Sequence, residues 1–257
     1  MTDRFALITG ASSGIGAEFA RQLAAQGIHL ALTARNAGRL DELRGELRAA
    51  YPVAVELLVA DLAREEGLAG VAAFIQALPR LDYLINNAGF GTTAFFAGSD
   101  IERQVSMLQV HVVAPLRLSH AALPGMLAQG SGAIVNVASV SAFGPTPGSA
   151  TYSASKAALV NFSRGLQSEL LGTGVRVQAL CPGFTHTRFH DGADFKGYRQ
   201  EKLPAFMWSN ADAVVRDSLR ALRNGGPLVV VPGWLNRLMT AFIQTPPGRM
   251  LLEAVSR

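Results

Sequence analysis

At its amino end the chain passes from a short apolar strand, Phe5-Ala6-Leu7-Ile8, through the turn Thr9-Gly10-Ala11-Ser12-Ser13-Gly14-Ile15-Gly16, into a helical pattern over residues 17–26. No other stretch narrows the possible folds as much. A strand that feeds a helix through bare backbone makes an anion site, because unbonded N–H groups and the positive helix end face one point. Phosphate is the expected guest, with Gly10, Ser12, Ser13, Gly14, Ile15 and Gly16 around it. The spacing is Gly-x3-Gly-x-Gly rather than Gly-x-Gly-x2-Gly, and glycines so placed also suit an ordinary turn.

The next strand, residues 28–33, ends at Ala34-Arg35-Asn36. A cofactor with a free ribose 2′-hydroxyl calls for an acid about 20 residues beyond the glycines, whereas a 2′-phosphate calls for arginine. The acid is missing and Arg35 is present, so NADP(H) is expected over NAD. Arg39, one turn on, either assists or is solvated. Strand 53–59 leads to Ala60-Asp61-Leu62, where Asp61 can accept from an adenine amino group, cap the following helix, or both. After strand 81–85 come Asn86-Asn87-Ala88-Gly89, two amides and two small residues that let backbone approach a flat ligand.

The chemistry-bearing stretch is an apolar strand over residues 133–138, then Ser139, a loop, and Tyr152-Ser153-Ala154-Ser155-Lys156 at a helix start. Spacing of four puts Tyr152 and Lys156 on one helix face. A phenol has a pKa of about 10, so ionising it at pH 7 costs roughly 4 kcal/mol. A fixed cation alongside favours the phenolate, and Ser139 across the pocket can hold the same carbonyl oxygen that Tyr152 protonates. Tyr198 and Lys202 share the spacing, but they lie in a charged stretch with no strand before it and read as a solvated helix face.

Length and composition bound the rest. With 257 residues and 49% apolar content, no linker and no low-complexity segment, one large domain is expected. The net charge of +4 is spread without a basic run, so nucleic-acid binding is not indicated. Cys181, the lone cysteine, cannot form an internal disulfide and reads as a buried inert thiol. The amino terminus carries no secretion-signal pattern, and a cytoplasmic location is expected. Residues 234–243 are amphipathic, shorter than a membrane span needs, and expected to stop before Pro246-Pro247; they suit packing on a second subunit or on a lid.

Thr9-Gly-x3-Gly-x-Gly16, Asn86-Asn-Ala-Gly89, Ser139, Tyr152-x3-Lys156 and Pro182-Gly183, in this order, resemble the short-chain dehydrogenase/reductase family in its compact single-domain form, over residues 4 to about 190. The resemblance implies a doubly wound, Rossmann-type α/β fold over residues 1–257, with a seven-stranded parallel sheet and helices on both faces. It also implies NAD(P)-dependent hydride transfer and a homodimer or homotetramer built through helices near 100–128 and 151–171. Carried over residue by residue, Ser139 orients the substrate oxygen, Tyr152 is the acid/base, and Lys156 lowers its pKa and holds the nicotinamide ribose. Asn87, Ala88 and Gly89 line the cofactor with Asp61, Leu62, Pro182, Gly183 and Thr185, and Thr187 meets its carboxamide.

One position departs from that pattern. Where family members carry asparagine in the fourth helix, near an irregularity that holds a proton-relay water, this chain has His111. A neutral imidazole can substitute, whereas an imidazolium would repel Lys156; the alternative is a packed histidine with the relay lost or rerouted. Residues 184–210 cluster Phe184, Phe189, Phe195, Tyr198, Phe206 and Trp208 and read as a substrate lid or a packed loop. With Phe90, Phe95, Phe96 and Phe143 past other strand ends, an apolar, bulky substrate is expected. His186 and His190 have a metal-like spacing without the rest of a zinc motif, so no metal is expected. The expected function is an NADP(H)-dependent oxidoreductase acting on a hydrophobic ketone, aldehyde or 3-oxoacyl compound; the alternative is a catalytically weak NADP(H)-binding regulator or scaffold.

Overall fold

The computed structural model describes residues 4–190 and 204–255. Strands and helices alternate: β1 (Phe5–Thr9), α1 (Gly14–Ala24), β2 (His29–Ala34), α2 (Ala37–Ala50), β3 (Val55–Val59), α3 (Glu65–Ala77) and β4 (Tyr83–Asn86) come first. They are followed by α4 (Ile101–Leu108), a π-turn (Gln109–Val113), α5 (Ala114–Ala128), β5 (Gly132–Val137), α6 (Ala150–Glu169) and β6 (Val175–Leu180). The last part holds β7 (Thr185–His186), β8 (Ser209–Asn210), α7 (Ala211–Arg223), β9 (Val229–Val230), α8 (Trp234–Ile243) and α9 (Pro246–Val255). Seven strands form one parallel sheet in the order β3-β2-β1-β4-β5-β6-β9, the Rossmann-type doubly wound arrangement.

The sequence builds this because its central strands are apolar on both sides, as a sheet covered on two faces requires. Side chains alternate along a strand, so Ala6 and Ile8 of β1 pack on Phe19, Leu23, Leu40 and Leu219 from α1, α2 and α7. Leu7 points the other way, onto Leu68, Val71, Leu118 and Leu166 from α3, α5 and α6.

Several local expectations change. The segment 100–128 is two helices joined by the π-turn, and β7 pairs with β8 in a separate two-stranded sheet. The closing strand, expected over residues 228–231, pairs only at Val229–Val230. The helix over residues 234–243 stops before Pro246-Pro247, as expected, and those prolines begin a further helix, α9, since proline at a first helical turn gives up an N–H that has no intrahelical acceptor. No helix among the described residues is long and apolar enough to cross a membrane.

Candidate active site

β1 and β4 are neighbours in the sheet although β2 and β3 lie between them in sequence, so a crevice opens at their carboxyl ends. Thr9 ties its walls together. Its Oγ1 accepts from the amides of Asn87 at 2.8 Å and Ala88 at 2.9 Å, and donates to Ile85 O at 3.3 Å. Asn87 Nδ2 returns two bonds, to Thr9 O at 2.9 Å and Gly10 O at 3.2 Å. A Cβ at Gly10 would come within 2.8 Å of Ala88 Cα, and one at Gly16 within 2.5 Å of Asn87 Nδ2. Gly14 holds φ at 56°, and its Cβ would press on Thr187 at 2.9 Å. The glycine turn, Asn87, Ala88 and Thr187 therefore meet.

Ser13 stands in extended conformation at the cap of α1 without a side-chain capping bond, and half-buried Ser12 precedes it. Half-buried Ile15 packs on the core. Arg35 follows β2 at the surface, with Arg39 exposed in the first turn of α2. Asp61 Oδ1 accepts the amide of Ala63 at 3.0 Å, closing a turn, while Arg64 takes the cap position of α3; the expected helix cap thus closes a turn three residues upstream of it. Leu62 turns into the core. Pro182 O accepts from Val140 N–H at 3.0 Å, Gly183 abuts Asn236, and buried Thr185 donates to Gly183 O at 3.0 Å.

Across the crevice, Ser139 follows β5 while Tyr152 and Lys156 sit one turn apart in α6. Buried amides fix that helix: Asn86 Nδ2 donates to Asn136 Oδ1 at 2.8 Å, and Asn136 Nδ2 to Ser163 Oγ at 2.9 Å, linking β4, β5 and α6. Lys156 Nζ is 5.7 Å from the Tyr152 ring centre and donates to Val137 O at 2.9 Å. Burial pushes Lys156 down to about 8. Burial also pushes Tyr152 up to about 12, against the opposing hydrogen bond with Ser139. The sequence predicts a phenol lowered by its cation; in the fold, desolvation of the phenolate is the largest influence on Tyr152 and pushes the phenol upward.

His111 lies in the π-turn, 99% buried. Its Nε2 accepts from Phe90 N–H at 3.0 Å, and its Nδ1 is 2.9 Å from Ser155 Oγ. Because Ser155 Oγ donates its proton to Tyr152 O at 2.6 Å, the imidazole donates through Nδ1–H. Burial, and then the nearby Lys156 charge, hold its pKa well below the usual histidine value. Both ring nitrogens are thus bonded to protein, the arrangement of the packed-histidine alternative, with the ring neutral as expected. A Cβ at Gly89 would touch His111 Nε2 at 2.8 Å and approach Lys156 Nζ at 3.6 Å.

The substrate side is lined with rings. Phe90 lies 5.7 Å from His111, His111 5.6 Å from Tyr152, and Tyr152 5.9 Å from Phe189. Both ends of the expected lid are anchored, since Ser209 N–H donates to Phe184 O at 2.8 Å and Trp208 packs on Phe184 at 5.4 Å and His186 at 5.0 Å. Phe195, the Tyr198/Lys202 pair and Leu203 lie outside the described residues, as does the His190 side chain. Cys181 is buried, its thiol pushed up to about 12 by burial, consistent with an inert side chain. Sequence reasoning assigned no role to Thr9 or Ser155. Thr9 stands at the motif's first position, which was a signal; Ser155 acts through histidine 44 residues away, which was not.

Residues 4–194 match the family model of the short chain dehydrogenases. The chain is 37% identical over 205 residues to an uncharacterized oxidoreductase of Staphylococcus saprophyticus, covering 79% of this chain and 87% of that protein. Among solved structures, it resembles a short-chain dehydrogenase from Sphingobium yanoikuyae in complex with NADPH, with TM-score 0.84, 35% identity, and 99% and 96% of the two chains covered. The bulky-bulky ketone specific alcohol dehydrogenase from Comamonas testosteroni superposes with TM-score 0.80 at 32% identity, over 98% and 94% of the chains.

Proposed function

The chain belongs to the short-chain dehydrogenase/reductase family, a family of oxidoreductases, and from that premise we propose that it is an NADP(H)-dependent reductase of bulky, apolar carbonyl compounds. The observation that carries the reading is the meeting of Ser139, Tyr152 and Lys156 opposite the Thr9–Asn87 crevice. The glycine turn suits a pyrophosphate, because positions where a Cβ would clash with Ala88, Thr187 or Asn87 keep its backbone bare. Arg35, with Arg39 near, would hold a 2′-phosphate; the NADPH bound by the Sphingobium yanoikuyae protein supports that choice. Asp61 and Leu62 would border the adenine, and Asn87 to Gly89 with Pro182, Gly183, Thr185 and Thr187 the nicotinamide side.

When bound, the cofactor supplies or takes the hydride. Tyr152, protonated throughout the neutral range, gives its proton to the carbonyl oxygen, and Ser139 holds that oxygen in line. Lys156 steadies the phenolate left behind and orients the ribose. His111 acts as a positioning residue, fixing the Phe90 backbone and, through Ser155, the first turn of α6. Phe90 and Phe189 shed water around the phenol and favour an apolar substrate, in keeping with the bulky ketones named for the Comamonas testosteroni enzyme. Of the lid expected over residues 184–210, the flanks 184–190 and 204–210 border the substrate side, and residues 191–203 lie outside the described residues. Exposed Ile101, Val105 and Leu108 on α4 and Leu116 on α5 suit a homodimer or homotetramer contact.

The test is NADPH oxidation against a panel of ketones, aldehydes and 3-oxoacyl compounds. Tyr152→Phe should lower turnover by about 10²–10⁴-fold while NADPH binding persists. Tight NADPH binding without turnover on any carbonyl would favour the regulator reading instead, to which the histidine in place of asparagine lends its support.

A further inference from the structure

At the end of the sheet opposite the glycine turn lies a cleft of about 300 Å³, bordered by Arg4, Arg80, Asp82, Tyr83, Arg176 and Arg223. It sits at the amino ends of β1, β4, β5 and β6, so residues far apart in sequence converge there. The floor is Asp82, 7% exposed, whose carboxylate takes Arg80 Nε at 2.9 Å and Nη2 at 2.6 Å, Arg4 Nε at 3.4 Å and the Phe5 amide at 3.1 Å. Arg176 donates to Leu222 O, and at 3.4 Å to Gly226 O, around the carboxyl end of α7. Arg223 has no hydrogen bond or ion pair to the described residues.

Structural duties explain why some of these arginines are present, but not their charge balance. Four guanidiniums face one carboxylate, and that carboxylate lies beneath two of them. Carbonyl acceptors satisfy Arg176's N–H groups without neutralising it. Guanidinium forks pair bidentately with phosphate oxygens, and the Tyr83 hydroxyl, 3.4 Å from Arg4 Nη2, adds a further polar group. The volume lies at the small end of ligand sites. We infer that this cleft binds a small multivalent phosphate anion, of pyrophosphate size, independently of the crevice at the other end of the strands.

Calorimetric titration of inorganic pyrophosphate into the full chain at fixed ionic strength tests this, in the wild type and in Arg35→Asp. Of the saturable heat, the part that persists with NADPH saturating the glycine turn is expected to amount to one site per chain, retained in Arg35→Asp and accompanied by a rise in Tm. Arg4→Gln with Arg223→Gln should weaken it at least tenfold; Arg223→Glu alone, exposed at a helix end, gives the same reading should the double variant fold poorly. Absence of saturable heat, equal binding by these variants, or loss in Arg35→Asp would overturn the assignment. So would citrate competing as well as pyrophosphate, since a carboxylate site would then be at hand. Because Arg4 and Arg223 decide the outcome, it stands or falls apart from the choice of nicotinamide cofactor.

Discussion

His111 Nδ1 donates to Ser155 Oγ across 2.9 Å, and the direction of that bond is fixed because the serine proton is already committed to Tyr152 O. A histidine in an asparagine's place is thereby held as one tautomer, with its lone pair on the Phe90 amide. The Nδ1–H form should therefore persist below the pH at which an ordinary histidine takes its proton, read from its ¹⁵N shifts. An imidazolium signal at pH 6 would sink this account. With the folded pKa below the unfolded one, the unfolded chain takes the proton first. His111's contribution to stability is thus full above the ordinary histidine value of 6.5 and shrinks as pH falls below it.

Ser155→Ala leaves Nδ1–H buried without an acceptor, at a cost of about 1–3 kcal/mol. Urea denaturation should show the loss, and the Nε2–H tautomer should gain population. An unchanged midpoint with an unchanged tautomer would mean that the serine does not hold the ring.

Lys156, pushed down to about 8, is charged below that pH and neutral above it. The specificity constant kcat/KM for NADPH, which reports the free enzyme, should fall about tenfold per pH unit beyond it. Lys156→Arg keeps its charge and should move that alkaline limb upward. A wild-type profile level to pH 10 would remove the cation from the binding step.

Thr9→Val preserves shape and strips the acceptor from two amides, those of Asn87 and Ala88. A loss of about 2 kcal/mol is expected, with weaker NADPH binding, because the crevice wall loses its tie. Chemical denaturation and fluorescence titration check both, and a change within about 0.5 kcal/mol would assign the tie no weight.

Arg35→Asp should weaken NADPH by about 2 kcal/mol, roughly thirtyfold, through loss of a charge-assisted pair, and leave NADH little altered. Equal weakening of both cofactors would detach Arg35 from the 2′-phosphate.

The sequence by itself determined whatever depends on neighbours along the chain. Apolar runs placed all seven strands of the sheet to within two residues at each end, and a spacing of four put Tyr152 and Lys156 on one face of α6, because helix and strand periods are local properties. Only the tertiary structure decided how those groups behave. The Tyr152 phenol is raised because packing excludes water around it, and Lys156 spends a hydrogen bond on Val137, a residue of another element. The tautomer of His111 waits on Ser155, and the arginine cleft on bringing residues 4, 80, 176 and 223 together. Dielectric environment and charge pairing are set by what lies across space, and no local pattern encodes that distance.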